Sequence, residues 1–318
     1  MGDPAGVGPE VALRACFARR RAIAFRPLLV GDSRVWRSAA RRLGLTEALA
    51  DERRRPERIE VSSLEAADRR PGQPTAKGAE AAYRAILEGV ALVRSGRAHA
   101  MVTAPVSKRA IQSLGHEFPG HTEVIADLAG GAEVRMMMAG PTLRVVLVTT
   151  HIALRDVPFA LREDAVVRTA EIAAEALRRH FAIAKPRLAL AGLNPHAGEG
   201  GSFGDEETRI LGPALERARD LRIRLAGPFP ADTVFHRARQ GEFDAVISLY
   251  HDQGLTPFKL LHFHDGVNVT LGLPFPRTSP DHGTAFDIAG KGVADPTSMV
   301  RALSLAAEMA SRRRPKAG

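Results

Sequence analysis

The sequence is poor in cysteine and aromatic residues, and it has no long hydrophobic run. Only one of its 318 residues, Cys16, is a cysteine, which excludes an internal disulfide and indicates a reducing compartment. Aromatic residues make up 5% of the chain and do not interleave with its arginines, unlike those of a typical nucleic-acid surface. No window reaches the roughly 18 uncharged apolar residues of a membrane span. The sequence therefore predicts a cytoplasmic protein whose partners include neither a membrane nor nucleic acid.

Two further features are missing from the amino-terminal region. The first ten residues, MGDPAGVGPE, lack the basic region and apolar core of a secretory signal. The stretch from Gly6 to Val11, GVGPEV, lacks the third glycine of a dinucleotide-binding Gly-x-Gly-x-x-Gly motif and follows no strand. A conventional Rossmann dinucleotide site is therefore not expected.

The net charge of +9 comes partly from three arginine runs, at residues 19–21, 53–55 and 312–314. Acidic residues surround the first two runs. We interpret these arginines as solvated helix faces that help to steer anionic substrates.

Short runs rich in Val, Leu and Ile alternate with helical patterns along the chain. Strands are predicted at residues 27–31, 98–103, 143–148, 187–191, 245–249 and 267–271. Between 148 and 187, apolar residues recur at helical spacing: Val166, Ala170, Ala173, Leu177 and Phe181. This alternation predicts an α/β fold with a largely parallel sheet.

Three consecutive predicted strands are each followed by a histidine, namely His151, His196 and His251. In open α/β sheets, ligands bind beyond the carboxyl ends of the strands. Three imidazoles leave a metal with an open position, as in a catalytic site, and their separations fit no zinc-finger spacing. A single histidine is more often an ordinary surface residue, but the repeated position favours a metal site.

Residues 115–122, GHEFPGHT, nearly fit the P-loop pattern, but His121 stands where that motif has lysine. This substitution argues against an ATP site, and two interpretations stay open. The start of a helix there binds phosphate, with help from the Thr122 hydroxyl and His121. Alternatively, Thr122 is a plain N-cap, with Glu123 in the first turn.

Together, seven motifs resemble the PdxA family, the 4-hydroxythreonine-4-phosphate dehydrogenases of vitamin B6 biosynthesis. The motifs are GDPAGVGPE (2–10), TAPVSK (103–108), GHTE (120–123), THIALRDVP (150–158), GLNPHAGEGGSFG (192–204), YHDQGLTPFK (250–259) and GVNVTLGLPFPRTSPDHGTAFDIAGKG (266–292). The resemblance covers nearly the whole chain. It implies an isocitrate/isopropylmalate dehydrogenase-like fold, with two α/β domains and a cleft between them. The expected domains are 1–126 with 287–318, and 127–286, the latter with most metal ligands and the dimer interface.

The resemblance also implies a homodimer with its active site at the subunit interface. One divalent metal (zinc, magnesium, manganese or cobalt) would bind His151, His196 and His251, with the third histidine contributed across the interface. Substrate contacts are implied for His121, Thr122, Lys259, Asn268 and Arg277. Residues 282–290 resemble the adenosine-binding loop of isopropylmalate dehydrogenases, although an ordinary loop capping a helix is the alternative. The implied contacts to NAD or NADP are His282, Gly283, Thr284 and Asp287.

The substrate implied by the resemblance is a small phosphorylated hydroxy amino acid, 4-phosphooxy-L-threonine. Its metal-dependent, NAD(P)-linked oxidation would give 2-amino-3-oxo-4-phosphooxybutanoate, which decarboxylates to 3-amino-2-oxopropyl phosphate. Lys259, Asp252 and Asp232 are candidates for the general base. Asp232 can equally be a turn residue, and Asp252 can equally orient a histidine.

Other function classes remain open at this point. One is a family relative that oxidises a phosphorylated sugar acid or a dihydrodiol, and another is a metal-dependent hydrolase. A phosphate-binding module without catalysis is a third. One departure from the family concerns the amino-terminal region, where Met1 directly precedes the GDPAG motif in place of a short apolar strand. Without that strand we expect an exposed sheet edge beside the glycine-rich turn.

Overall fold

The computed structural model describes residues 1–18, 25–53, 55–118 and 120–313, which form two compact units. The first unit comprises Met1–Glu133 and Leu273–Ser311, and the second is built on Val134–Gly272. The predicted domain cuts after residues 126 and 286 stay a prediction about domain organisation. Within the described ranges, no helix is both long and apolar enough to cross a membrane.

The described residues of the first unit form seven helices and four short strands, numbered here along the whole chain. Its elements are α1 (Gly8–Phe17), β1 (Leu28–Gly31), α2 (Ser33–Arg42), α3 (Thr46–Ala50), β2 (Glu57–Glu60), α4 (Ala76–Arg94), β3 (Met101–Val102), α5 (Lys108–Gln112), α6 (His121–Leu128), β10 (Arg277–Pro280) and α12 (Thr297–Arg313). Strand β1 pairs in parallel with β2, and β10 pairs in parallel with β3. The second pairing places the first residue of β10, Arg277, beside Met101.

The core of the first unit fixes the amino-terminal turn. Leu13 of α1 packs in one buried cluster with Leu29 of β1 and Trp36 of α2. Asp32 caps α2, because its Oδ1 atom accepts the backbone N–H of Arg34 at 2.7 Å. The anchored helix α1 holds the GDPAGVGPE turn in place at its own amino end.

The second unit is a six-stranded sheet with five helices. Its elements are β4 (Arg135–Ala139), β5 (Arg144–Leu147), α7 (Val157–Ala160), α8 (Glu163–Phe181), β6 (Leu188–Ala191), α9 (Gly212–Asp220), β7 (Leu225–Phe229), α10 (Ala231–Arg239), β8 (Ala245–Ser248), α11 (His251–His262) and β9 (Val267–Leu271). The strand order is β9-β4-β5-β8-β6-β7. The sheet is mixed rather than largely parallel as expected, because β4 runs antiparallel to both of its neighbours, β9 and β5.

Strands β5, β8, β6 and β7 are mutually parallel, and this part of the sheet is deeply buried. Every residue of β6 and β8 is buried, as expected for parallel strands covered on both faces. The predicted apolar stripe lies on α8, where Val166, Ala170 and Leu177 are fully buried. Acidic residues in the first turn of α8 and basic ones in its last turn complement the helix dipole.

The arginine runs were expected to lie on helix faces, and the structure describes some of these arginines. Arg53 and Arg55 are exposed as expected, but they follow the end of α3 and do not lie on a helix face. Asp51, in an extended conformation, terminates that helix. Residues 19–21, Arg54 and Arg314 lie outside the described residues.

Candidate functional site

The carboxyl ends of three parallel strands carry the three candidate metal ligands. His151 follows β5, His196 follows β6 and His251 follows β8. Because β8 lies between β5 and β6, all three strand ends meet at one edge of the sheet, with His251 on the central strand. The edge lies entirely within the second unit.

The rings of His151 and His251 approach each other closely. Their centroids are 5.6 Å apart, and the ring planes are tilted by 42°. Two imidazoles on one tetrahedral metal, with metal–nitrogen bonds of about 2.0–2.1 Å, have centroids about 5–6 Å apart. The pair therefore fits two ligands of a divalent metal.

Asp252 orients the His251 ring. The Nδ1 atom of His251 lies 2.6 Å from Oδ1 of Asp252, which leaves Nε2 available to a metal. Asp252 also lies in the first turn of α11, where a carboxylate interacts favourably with the helix dipole. This contact supports the orienting role for Asp252 over a role as general base.

His196 lies in an unusual loop, Pro195–Gly201, that follows β6. The backbone φ angles of His196 (54°), Ala197 (54°) and Glu199 (41°) are all in the left-handed region. Such residues cost about 1–2 kcal/mol each unless the surroundings hold them. The buried carboxylate of Glu207 holds the residues just before them, accepting the backbone N–H groups of Leu193 at 2.7 Å and of Asn194 at 2.8 Å.

One chain does not assemble the complete ligand set. Among the described residues, no three His, Cys, Asp or Glu side chains lie close enough together to hold a metal. His196 is exposed, and its ring packs beside Phe203 at a centroid distance of 6.1 Å.

A second set of predicted residues surrounds the start of α6 in the first unit. Gly120, in an extended conformation, is the N-cap of this helix, and His121 is its first residue. The alternative interpretation of Thr122 as the N-cap is therefore wrong, since Thr122 already lies inside the first turn. The N-cap offers no side-chain acceptor, so the free N–H groups of the first turn remain available to an anion.

Basic groups and the carboxylate of Glu123 lie together near this helix start. Burial, followed by the charges of Arg277, the amino terminus and Lys108, holds the pKa of His121 well below its usual value. Burial lowers the pKa of Arg277 to about 10, while Glu123 acts in the opposite direction. His121 is therefore neutral at pH 7 and Arg277 is charged, so together they offer hydrogen bonds and one buried cation to an anionic group.

Arg277 is fixed by its strand. Its Nη2 atom donates to Oγ1 of Thr103 at 2.6 Å, and both side chains are buried. Lys108, the first residue of α5, approaches Gly120 closely: a Cβ atom on Gly120 would lie 3.1 Å from Nζ of Lys108 and 2.6 Å from Oε2 of Glu123. Sequence reasoning overlooked Lys108, although it ends the TAPVSK motif.

The predicted cofactor segment packs on the amino-terminal turn. The carbonyl of Thr284 accepts the backbone N–H of Val7 at 2.9 Å, and the buried Glu10 accepts that of Gly290 at 2.6 Å. His282 is half-buried, with its Nδ1 atom 3.0 Å from the carbonyl oxygen of Gly283. Gly283 and Asp287 are exposed. The segment is thus anchored to the GDPAGVGPE turn, with parts of it left open to solvent.

The remaining predicted residues lie in the second unit. Lys259 is half-buried on α11, two turns beyond His251, and Asn268 is the half-buried member of β9. Asp232 is exposed in the first turn of α10, at the carboxyl end of β7. Asp232 therefore lies inside a helix rather than in a separate turn, and its role as a base stays a prediction.

Comparisons with known proteins agree with the motifs. Residues 24–306 match the family described as "Pyridoxal phosphate biosynthetic protein PdxA". The chain is 50% identical over 319 residues to the 4-hydroxythreonine-4-phosphate dehydrogenase of Geobacter metallireducens, covering 98% of this chain and 94% of that one.

Two solved structures are also similar. The crystal structure of 4-hydroxythreonine-4-phosphate dehydrogenase from Klebsiella pneumoniae is 40% identical, with a TM-score of 0.83, covering 98% of this chain and 96% of that one. A terephthalate 1,2-cis-dihydrodiol dehydrogenase from Burkholderia xenovorans LB400 is 31% identical, with a TM-score of 0.67 and 96% coverage of each chain. The predicted α/β fold class is confirmed, and by sequence and structure alike the chain belongs to the PdxA family.

Proposed function

We propose that this chain is a metal-dependent, NAD(P)-linked dehydrogenase of 4-phosphooxy-L-threonine. The alcohol carbon gives a hydride to NAD(P)⁺ and the alcohol oxygen loses its proton, which yields 2-amino-3-oxo-4-phosphooxybutanoate. This β-keto acid loses CO₂ to give 3-amino-2-oxopropyl phosphate. The observation that carries the proposal is the close approach of His151 and His251, with Asp252 orienting the latter, in a chain 50% identical to an enzyme of that name.

We propose that His151, His196 and His251 hold one divalent metal, with one of the three imidazoles coming from a second copy of the chain. A metal in this position would supply Lewis-acid polarisation of the substrate alcohol. Imidazole ligands suit zinc and cobalt, and oxygen ligands from the substrate would also admit magnesium or manganese. Asp252 supports the arrangement by fixing one ring of the set.

Exposed apolar side chains support the homodimer. Those in the second unit are Ile152, Leu154, Phe159, Phe203, Leu221, Leu260 and Phe263. Ile152 directly follows His151, Phe203 packs beside the His196 ring, and Leu260 lies on the helix that begins with His251. Such apolar exposure is typical of a protein–protein interface. A second copy covering this surface would stand beside the histidine loops.

The anionic end of the substrate is proposed to bind at the start of α6. Arg277 contributes a buried guanidinium suited to bidentate binding of phosphate or carboxylate, while His121 and Thr122 offer neutral hydrogen bonds. Lys259 and Asn268 are proposed as further substrate contacts. Since Asp252 already binds His251, Lys259 and Asp232 remain the candidates for the base that takes the alcohol proton.

The nicotinamide cofactor is proposed to bind through His282, Gly283, Thr284 and Asp287. The hydrogen bond from Val7 to Thr284 ties this segment to the amino-terminal turn, giving it a defined backbone shape. We further propose that the enzyme acts in the cytoplasm, in keeping with its single cysteine, Cys16.

A substrate panel tests the proposed reaction. The purified protein is incubated with NAD⁺ or NADP⁺ and one of three compounds: 4-phosphooxy-L-threonine, a phosphorylated sugar acid or an unphosphorylated cis-dihydrodiol. NAD(P)H absorbance is followed with a chelator and again after zinc, magnesium, manganese or cobalt is returned. We expect reduction with 4-phosphooxy-L-threonine that the chelator abolishes and metal restores.

The same panel separates the alternatives. A dihydrodiol turned over faster than the phosphate ester would assign the activity of the Burkholderia xenovorans relative instead. Release of inorganic phosphate without NAD(P)H formation would indicate a metal-dependent hydrolase.

A further inference from the structure

A buried amide joins two of the histidine-bearing strand ends. Gln253, the third residue of α11, is only 8% exposed. Its Oε1 atom accepts the backbone N–H of Leu249 at 2.7 Å, and its Nε2 atom donates to the carbonyl of Gly192 at 2.6 Å. Leu249 follows β8 and precedes His251, while Gly192 follows β6 and opens the loop of His196. One side chain therefore fixes the distance between these two turns.

The third strand end is tied to the same residue, Leu249. The hydroxyl of Thr149 donates to the carbonyl of Leu249 at 2.7 Å, and its backbone N–H lies 3.2 Å from the same oxygen. Thr149 follows β5 and precedes His151 by two residues. The backbone of Leu249 is thus held on both sides. Thr149, on the β5 side, binds its carbonyl, and Gln253, which reaches β6, binds its N–H.

Glu207 extends this framework into the His196 loop. Besides the two backbone N–H groups of Leu193 and Asn194, its carboxylate accepts the side-chain amide of Asn194 at 2.9 Å. Glu207 also begins a π-helical turn, Glu207–Leu211, a feature found frequently at functional sites. A buried carboxylate is costly unless hydrogen-bonded, and here the bonds it receives come from the start of the loop that carries His196.

We infer that Gln253 and Glu207 are positioning residues, an inference that rests on the proposed metal site. They fix the backbone of the three histidine loops in each copy of the chain, so that each copy presents its imidazoles in fixed positions to its own site and to that of the second copy. The Thr149–Leu249–Gln253–Gly192 connection sets the loops relative to one another, and Glu207 sets the shape of the third. A polar framework behind metal ligands fixes ring orientation and strengthens binding. This also explains why the YHDQ segment places a histidine, a carboxylate and an amide in succession directly after a buried strand.

The test uses the full chain and the metal alone. In Gln253→Met, both hydrogen bonds are lost at nearly constant side-chain volume. Affinity for Zn²⁺ and Co²⁺ is measured by competition with a chromophoric chelator, and kcat and KM are measured separately. We expect the variant to bind metal about 10–100-fold more weakly and to lose kcat in proportion at subsaturating metal. Glu207→Gln, which puts an amide group against the Asn194 amide, should show a loss of similar size.

A matched control lies at the opposite ends of the same strands. Asp244, directly before β8, accepts the backbone N–H of Arg187, directly before β6, at 2.7 Å. Asp244→Asn should lower the melting temperature while leaving metal affinity within about twofold of wild type, since this contact is far from the histidine end. An equal loss of metal affinity in Asp244→Asn would overturn the inference, because general loosening of the sheet would explain both results.

A second variant keeps the inference testable if Gln253→Met does not fold. Thr149→Val deletes one hydrogen bond of the framework with little change in shape, and we expect metal binding about fivefold weaker. Folded variants with wild-type metal affinity would overturn the positioning role and leave the proposed function standing. A wild-type protein that binds neither metal would overturn the proposed function, and the inference with it.

Discussion

At the scale of single residues, the contact that Asp252 makes favours one of its two predicted roles. The sequence left it as a general base or as the partner of a histidine. Its Oδ1 atom lies 2.6 Å from Nδ1 of His251, and its side chain is otherwise 83% exposed. A carboxylate engaged in this way is suited to fix the tautomer of the ring, which leaves Nε2 for the proposed metal.

Replacing Asp252 with asparagine tests the orienting role. We expect Asp252→Asn to bind Zn²⁺ about 10-fold more weakly and to regain most of its kcat at saturating metal. Chelator competition and steady-state kinetics over a range of metal concentrations measure both effects. If metal affinity were unchanged and kcat fell by several orders of magnitude at saturating metal, Asp252 would instead be the base.

Among the candidate site residues, His121 should contribute most clearly to the pH dependence of folding stability. Because burial and nearby cations lower its pKa in the folded protein, the folded state favours the neutral ring. The unfolded chain takes up a proton near pH 6.5, so this contribution to stability is present above that pH and is lost as pH falls below it. The shift also means that His121 donates or accepts a hydrogen bond at neutral pH without adding charge.

Thermal unfolding of the metal-free, phosphate-free protein at pH 7.5 and pH 5.5 measures this linkage. We expect the melting temperature of the wild type to fall more across this interval than that of His121→Gln, which has no ring to protonate. Inorganic phosphate should reduce the difference by offsetting the positive charge near Arg277. Parallel pH dependence in the two proteins would contradict a lowered pKa for His121.

At the scale of elements, hydrophobic pattern predicted the strands that position the histidines and missed others. Strands β5, β6 and β8 are largely apolar runs because they are buried, and β9 is also mostly buried. The overlooked strands have no such pattern: β2 is mostly charged, β4 is a methionine run, β7 contains a glycine and a proline, and β10 is mostly polar. Tertiary pairing, rather than local preference, makes them strands.

The contacts that organise the candidate site could not be predicted from the sequence either. Glu207 and Asn194 are 13 positions apart, and Arg277 and Thr103 are 174 apart. Motif resemblance named Arg277, but its partner follows from the parallel pairing of β10 with β3, which no local pattern reveals. Likewise, the left-handed backbone at His196 begins two residues after Asn194, whose hydrogen bond to Glu207 no local pattern reveals.

The loop of His196 offers a prediction with an internal control. Gly198 and Gly200 both have left-handed φ angles, of 81° and 67°. A Cβ atom on Gly198 would lie 2.8 Å from Oε2 of Glu207, whereas one on Gly200 would meet nothing within 4 Å. Gly200→Ala should therefore cost about 1 kcal/mol of unfolding free energy, and Gly198→Ala should cost more and also weaken zinc binding. Equal effects in urea unfolding and zinc titration would contradict the proposed contact.

At the scale of the whole molecule, the exposed apolar side chains of the second unit are the strongest sign of self-association. Phe159 and Leu260, both large apolar residues, are 86% and 85% exposed. Exposed apolar surface of this kind is typical of an interface. The described residues of one chain do not bring three such ligands together, and we propose that a second copy both covers these side chains and supplies the missing imidazole.

Analytical ultracentrifugation tests this assembly. We expect the wild type to sediment as a dimer. The double variant Phe159→Ser/Leu260→Ser should dissociate into monomers at protein concentrations about 10-fold higher than those at which the wild-type dimer dissociates. The variant should lose zinc affinity in parallel. Val293→Ser, at an apolar residue of the first unit that is 65% exposed, serves as the control and should remain dimeric. A monomeric wild type with full zinc affinity would contradict the shared site.

Anomalous diffraction from zinc-loaded crystals tests the central claim most directly. Our account predicts one peak per chain, within about 2.1 Å of a ring nitrogen of each of His151, His196 and His251, with one of these rings belonging to a second copy. A crystal with zinc bound elsewhere, or with the three imidazoles apart in every pair of chains, would contradict it.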